Sequence, residues 1–302
     1  MTIEESLTGL GKILVTGGNG QLAVSLSALG GEQVIRIGRP EFDFDQPETI
    51  AAAVSRYKPH AVVNAAAWTA VDLAESEPEA ARRANETGPA LLAAACAEIG
   101  VPLVHVSTDY VFSGDKGSPY VETDPIAPQT VYGTTKAAGE AAVLAANPQT
   151  AVLRTAWVYS AHGKNFVRTM IAAGAKNPRL RVVGDQIGNP TSSDDLARAI
   201  LAILARVSKT GWQPEYAGVY HATAQGETSW HGLAVAALEA AARLGRPMPE
   251  IDAIRTEDWP TPAKRPQDSR LDCSKLASVF GVQLPDWHAT LVPTVETIVS
   301  AS

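Results

Sequence analysis

K-I-L-V-T-G-G-N-G-Q-L-A, residues Lys12 to Ala23, begins as a short β-branched run and breaks into glycines at 17, 18 and 20. Lys12–Thr16 reads as a buried strand. A helix of small and apolar residues follows to about Leu29. Strand, glycine turn and helix in that order form the context in which glycines point to a nucleotide site. The glycines permit a tight turn and close approach of backbone to a pyrophosphate. The helix start offers free N–H groups and the positive end of its dipole. The spacing Gly17-x-x-Gly20-x-x-Ala23 departs from the strict six-residue fingerprint, and a plain strand–turn–helix shares it. The expected pyrophosphate contacts are Gly17, Gly20, Gln21 and Leu22.

Outward from this turn, strand-like and helix-like runs alternate. Val34–Ile37 reads as the second strand. An NAD-selective site usually carries an acid at this strand end, to bind the ribose 2′-hydroxyl. Here the chain reads Ile37-Gly38-Arg39, which suggests tolerance of, or preference for, the 2′-phosphate of NADP. Arg39 as a solvated surface residue is the plainer reading. Phe42–Asp45 is expected as a short third strand that brings Asp43 to the adenine, with Phe44 beside it. A helix follows over Pro47–Tyr57. Ala61–Ala67 has the apolar character of a parallel strand covered on both faces, and Ala67, Trp68 and Thr69 open into the cleft at its end. Pro78 to about Ile99 reads as one long helix holding Asn85 and Cys96. Asn85 either supports the site from below or lies on the surface.

Leu103–Phe112 is the next expected strand. It ends in Ser107-Thr108-Asp109, either a turn cap or, at Thr108, a hydrogen-bond donor to a reacting oxygen. A turn-rich loop, Ser113–Thr130, leads to V-Y-G-T-T-K-A-A-G-E, Val131–Glu140, on a helix that continues to about Ala146. Tyr132 and Lys136 are four residues apart and share a helix face. A phenol titrates at about 10, and a nearby cation moves it toward neutral pH. An exposed helix pair would give the same spacing. What favours the functional reading is its place after these strands. His105 falls on the opposite side of its strand from Thr108 and reads as a packed core histidine.

The chain has 302 residues, 45% hydrophobic and 19% charged. That suits one large domain or two smaller ones. A net charge of −7 argues against a nucleic-acid footprint. Cys96 and Cys273 make no disulfide framework. The acidic start lacks the regions of a signal peptide, and residues 1–11 read as a frayed leader. No apolar run approaches the roughly 18 residues of a membrane span, so a cytoplasmic location is expected.

The order Gly17-Gly18-Asn19-Gly20, Asn64-Ala65-Ala66-Ala67, Ser107-Thr108-Asp109-Tyr110-Val111-Phe112 and Tyr132-x-x-x-Lys136 resembles the extended short-chain dehydrogenase/reductases. Within them it is most similar to the dTDP-4-dehydrorhamnose reductases. The specific echoes are Asn64–Pro78, Ser107–Gly114, Arg154–Tyr159, Asp185–Thr191 and Arg265–Asp272, and the similarity spans roughly residues 12–295. Related 4,6-dehydratases carry an Asp-Glu acid pair after the threonine, whereas here Tyr110 follows Asp109, so a reductase remains.

The resemblance implies an α/β fold: a doubly wound, mostly parallel Rossmann sheet over 12–160, with segments near 185–207 returning to it. A smaller, discontinuous substrate-binding region would fill much of 161–302. Its expected pieces are Gly218–Ala222, a Trp230–Leu244 helix, the Trp259–Arg270 stretch and a final helix over Trp287–Val299. The resemblance also implies NADPH or NADH as cofactor and a nucleotide-linked 4-keto-6-deoxyhexose as substrate. Tyr132 would then be the proton donor, Lys136 would hold the nicotinamide ribose and lower the tyrosine pKa, and Thr108 would bond the oxygen. Thr69, Thr108, Asp109, Trp157, Arg265 and Arg270 would contact the sugar nucleotide. Arg265 and Arg270 suit bidentate anion binding; fixing their own loop through carbonyls is an equal reading. Some members bridge a dimer through Mg²⁺, but Ser25 stands here in place of one bridging acid, so no metal ligands are expected and the state is monomer or homodimer. The alternatives are a reductase of another nucleotide-linked 4-keto sugar, or a non-catalytic regulatory subunit of S-adenosylmethionine synthetase.

Overall fold

The structure, a computed structural model, describes residues 11–301. Apart from Gly11, the expected leader over 1–11 lies outside the described residues. Six parallel strands build the central sheet: β1 (Ile13–Thr16), β2 (Val34–Arg36), β3 (Ala61–Asn64), β4 (Leu103–Thr108), β5 (Thr150–Thr155) and β6 (Gly218–His221). Their order is β6-β5-β4-β3-β1-β2. Alternate side chains of a strand point to opposite faces, and both faces are covered. Ile13, Val15, Val63 and Leu153 pack under α1 (Gln21–Gly30) and a later helix, Ser193–Thr210. Leu14, Val62, Leu103 and Val152 pack under α2 (Pro47–Tyr57), α3 (Gly88–Glu98) and α4 (Val131–Ala146). Near-continuous apolar strands are therefore what the sheet requires.

Several boundaries differ from the sequence reading. Phe42–Asp45 forms no strand: Asp45 N–H donates to the Asp43 carboxylate and Gln46 N–H to the Asp43 carbonyl, so local hydrogen bonds turn the chain. Phe42 anchors this turn in the core. The helix expected over 78–99 is present, but a π-turn interrupts it at Arg83–Thr87. The strand expected to Phe112 ends at Thr108, whose hydroxyl accepts from Tyr110 N–H and starts a 3₁₀ turn.

The sequence reading assigns Gly218–Ala222 to the smaller region. Its first four residues instead form β6, in register with Ala151–Arg154 of β5. The run is short and isolated in sequence, so only the sheet edge reveals its place. A separate cluster joins Tyr159, from the short strand Val158–Tyr159, to Val167, Ile171, Leu233, Ala237, Trp287, Leu291 and Val295, from helices Phe166–Gly174, Trp230–Ala242 and Trp287–Ser300. A two-stranded parallel ladder, Arg179–Val183 with Glu250–Ile254, lies with it. Among the described residues no helix is long and apolar enough to cross a membrane.

Candidate functional site

The carboxyl ends of β1 to β5 open into one cleft of about 1140 Å³. Ligands of parallel sheets bind at this edge. At one end lies the glycine turn. Gly17 has φ +108°, and a Cβ there would stand 2.9 Å from the Ala65 carbonyl oxygen. Gly18 N–H donates to the Ile37 carbonyl at 2.8 Å, and a Cβ on Gly38 would fall 2.6 Å from Gly18 Cα. Two backbones thus touch where only glycine fits. Gly20 precedes α1 without a side-chain cap, and no acid occupies its first turn. Its N–H groups are left for an anion in the cleft. This cradle fits a dinucleotide pyrophosphate.

All the residues expected at the cofactor line this cleft: Gly17, Gly20, Gln21, Leu22, Arg39, Asp43, Phe44, Ala67, Trp68, Thr69, Tyr132 and Lys136. Arg39 is exposed and pairs with Asp43 at 2.9 Å and Asp45 at 2.7 Å. Arg83 also reaches Asp45, and these cations hold its carboxyl below the usual range. Arg36, which sequence reasoning passed over, lines the cleft too and donates to the Gly18 carbonyl. Its place at the end of β2 was the available signal.

At the other end, α4 and the β4 terminus bring Thr108, Asp109, Tyr132 and Lys136 together, each no more than 9% exposed. Thr130 caps α4 by accepting from Gly133 N–H, which fixes the first turn where Tyr132 sits. Gly133 lets that turn meet the chain after β4: a Cβ there would be 2.2 Å from the Tyr110 carbonyl oxygen. Thr108 donates to Asp109 Oδ1 at 2.9 Å and also stands against the Tyr132 hydroxyl.

Burial raises the Tyr132 pKa, opposed by the Thr108 hydrogen bond, with the Asp109 charge adding to the rise. The expectation that Lys136 lowers it is corrected here: the phenol moves up, because desolvation disfavours phenolate. Lys136 Nζ instead donates to the Val106 carbonyl at 2.7 Å. Its own pKa falls to about 8 through burial, opposed by Glu140. Asp109 rises to about 6, again through burial, opposed by the Ser269 and Thr108 hydroxyls.

Asn85 is fully buried, which resolves its two readings. Its amide accepts from Trp68 N–H at 2.8 Å, and donates to the Trp68 carbonyl and Thr135 Oγ1. The π-turn thereby ties the β3 end loop to α4. His105 is buried and shares a hydrogen bond with Asn64 at 3.0 Å, as a core histidine should.

Of the residues expected at the substrate, Thr69, Thr108, Asp109, Trp157 and Arg265 line the cleft. Trp157 sits in the left-handed region at φ 48°, which splits the run expected over 150–159. Its ring stacks on Trp230 at 3.6 Å. Trp230, a cleft residue the sequence reading placed only in a helix, had no periodicity to mark it. Arg265 donates to the Tyr110 hydroxyl at 3.1 Å and to Asp72 at 2.6 Å. Arg270 is not among the cleft residues: its guanidinium is held by Asp268 and Glu227. Two adjacent carboxylates satisfy the fork, so the anion-binding expectation is corrected for this residue. Ser25 is buried and bonded to Ser193 Oγ at 2.8 Å. It packs α1 on the Ser193–Thr210 helix. No group of three or more His, Cys, Asp or Glu is placed to hold a metal ion among the described residues.

The family described as the RmlD substrate binding domain matches residues 11–300. Curated relatives named dTDP-4-dehydrorhamnose reductase include one from Burkholderia thailandensis, 44% identical, covering 92% of this chain and 95% of that protein. Another, from Sinorhizobium fredii, is 42% identical over 92% of this chain and 94% of its own length. Among solved structures, a dTDP-4-dehydrorhamnose reductase from Bacillus anthracis, in complex with NADP, superimposes with a TM-score of 0.85 at 32% identity. That match covers 94% of this chain and 98% of the other.

Proposed function

The chain belongs to the RmlD substrate binding domain family, and from that premise we propose that it reduces the 4-keto group of dTDP-4-dehydro-L-rhamnose to give dTDP-L-rhamnose. The observation that carries this reading is the convergence of the Thr108 and Tyr132 hydroxyls and the Lys136 amine in one cleft, whose far end is a glycine turn on a helix start. A bound NADPH or NADH supplies the hydride to C4. Gly17 to Leu22 would hold its pyrophosphate on backbone N–H groups, and Arg36 and Arg39 would favour a 2′-phosphate.

Tyr132 gives its phenolic proton to the carbonyl oxygen as the C4–H bond forms, so the C=O becomes an alcohol and the tyrosine a phenolate. Burial keeps the phenol protonated at neutral pH, so it is present as an acid. Lys136 places an ammonium on the same helix face, where it would hold the nicotinamide ribose and balance the new negative charge. Thr108 turns its hydrogen from Asp109 to the substrate oxygen. Asp109, Trp157 and Arg265 orient the sugar nucleotide. NADP in the Bacillus anthracis reductase supports the cofactor assignment.

The test is loss of NADPH absorbance with the dTDP-linked 4-keto sugar, for the natural chain and Tyr132→Phe. Positioned acid catalysis contributes about 10²–10⁴-fold, so the variant should turn over slower by that factor and still bind NADPH. An unchanged turnover number removes Tyr132 from the role.

A further inference from the structure

Behind the cleft, α4 carries a third polar residue in line with the first two. Tyr132, Lys136 and Glu140 recur every four residues on one helix face. Glu140 is 4% exposed and Arg154 of β5 is 3% exposed. The Arg154 fork closes on the Glu140 carboxylate through Nε at 2.9 Å and Nη2 at 2.7 Å. The guanidinium also lies over the Phe112 ring, 4.9 Å from its centroid.

A buried ion pair like this adds little net stability, because desolvating both charges offsets their attraction. Apolar residues of the same volume would hold the helix to the sheet as well. What the pair does provide is a fixed negative charge one turn below Lys136, a lysine that is itself 2% exposed.

We propose that Glu140, clamped by Arg154, is a positioning residue that holds the buried Lys136 side chain in its ammonium form. Without it, the burial of Lys136 goes unopposed and the ammonium gives up its proton at a lower pH. The Arg154 fork holds the Glu140 carboxylate in place from two sides. The other titratable groups packed around this helix do not replace it. His105 of β4 is buried neutral, its pKa pushed well down by burial and by the Lys136 charge. Asp109 and Tyr110, in the turn after β4, act on Tyr132. Among the described residues only Glu140 raises the lysine.

The test titrates Lys136 by NMR in full-length protein labelled with carbon-13 at lysine Cε, without nucleotide, using Lys136→Met to assign the signal. In the natural chain Lys136 should titrate at about 8. In Glu140→Gln/Arg154→Met it should titrate lower by about one pH unit, and in Glu140→Gln lower still, because Arg154 is then left as an unpaired cation nearby. The double variant leaves no unpaired buried charge, so it folds even where the single one does not. The alkaline limb of kcat should move down by the same amount, and that second arm rests on the reductase reading. A Lys136 titration that stays in place or rises in the folded double variant overturns the inference. An absence of NADPH oxidation by the natural chain would sink the reductase reading instead, and leave the NMR result to decide this one.

Discussion

Asp109→Asn should make the protein more stable at neutral pH. Asp109 is 2% exposed, and its carboxyl titrates at about 6 in the folded chain against 3.8 when free. The cause is burial, only partly offset by the Ser269 and Thr108 hydroxyls. A carboxyl whose folded pKa is raised binds its proton more tightly in the native state. Its contribution is therefore complete below the unfolded pKa and lost as pH rises through the folded one. The folded and free values lie roughly two pH units apart, and each unit is worth about 1.36 kcal/mol, so ionised Asp109 costs about 3 kcal/mol at pH 7. Asparagine is neutral throughout and keeps an oxygen that can accept from Thr108. The stability difference between variant and natural chain should thus grow by roughly 3 kcal/mol between about pH 4 and pH 7. Urea denaturation of both proteins at several pH values in that window measures it, since all other titrations cancel in the difference. A difference that is flat with pH would refute the argument that Asp109 is held uncompensated. A carboxylate retained at such a cost is expected where it serves the site, so the stabilised variant should also be the slower reductase.

Two further variants probe the other end of the cleft. Gly17→Ala puts a methyl 2.9 Å from the Ala65 carbonyl oxygen at φ +108°; it should cost about 1–3 kcal/mol of stability and weaken NADPH binding at least roughly tenfold, read by fluorescence titration, and unaltered affinity would count against the pyrophosphate cradle. Arg39→Ala removes an exposed guanidinium that pairs with the buried Asp43 and the exposed Asp45; stability should fall by no more than about 1 kcal/mol, while the KM for NADPH should rise and that for NADH should not, and equal effects on both would dismiss a 2′-phosphate role.

Much of the sheet was legible because a doubly covered parallel strand has to be apolar over its whole length. Residues 13–15 and 61–63, apolar and buried throughout, show this directly. The glycine turn was legible for a related reason: Gly17 and Gly38 sit where backbone meets backbone, and no other residue fits. That Tyr132 and Lys136 share a face followed from helical period, and their place after the strands pointed to the site. What periodicity could not reach was set by partners distant in sequence. β6 is a strand only because the edge of β5 is there to pair with it.

Trp230 became a cleft residue through stacking on Trp157, and Arg270 left the site because Asp268 and Glu227 claim its fork. Protonation was likewise beyond the sequence. The i,i+4 spacing argued for a phenol lowered by its lysine, but burial raises Tyr132 and discharges Lys136 toward pH 8. Spacing along a helix is a local property and is written in the chain. Desolvation depends on everything that closes over a side chain, and only the folded structure decides it.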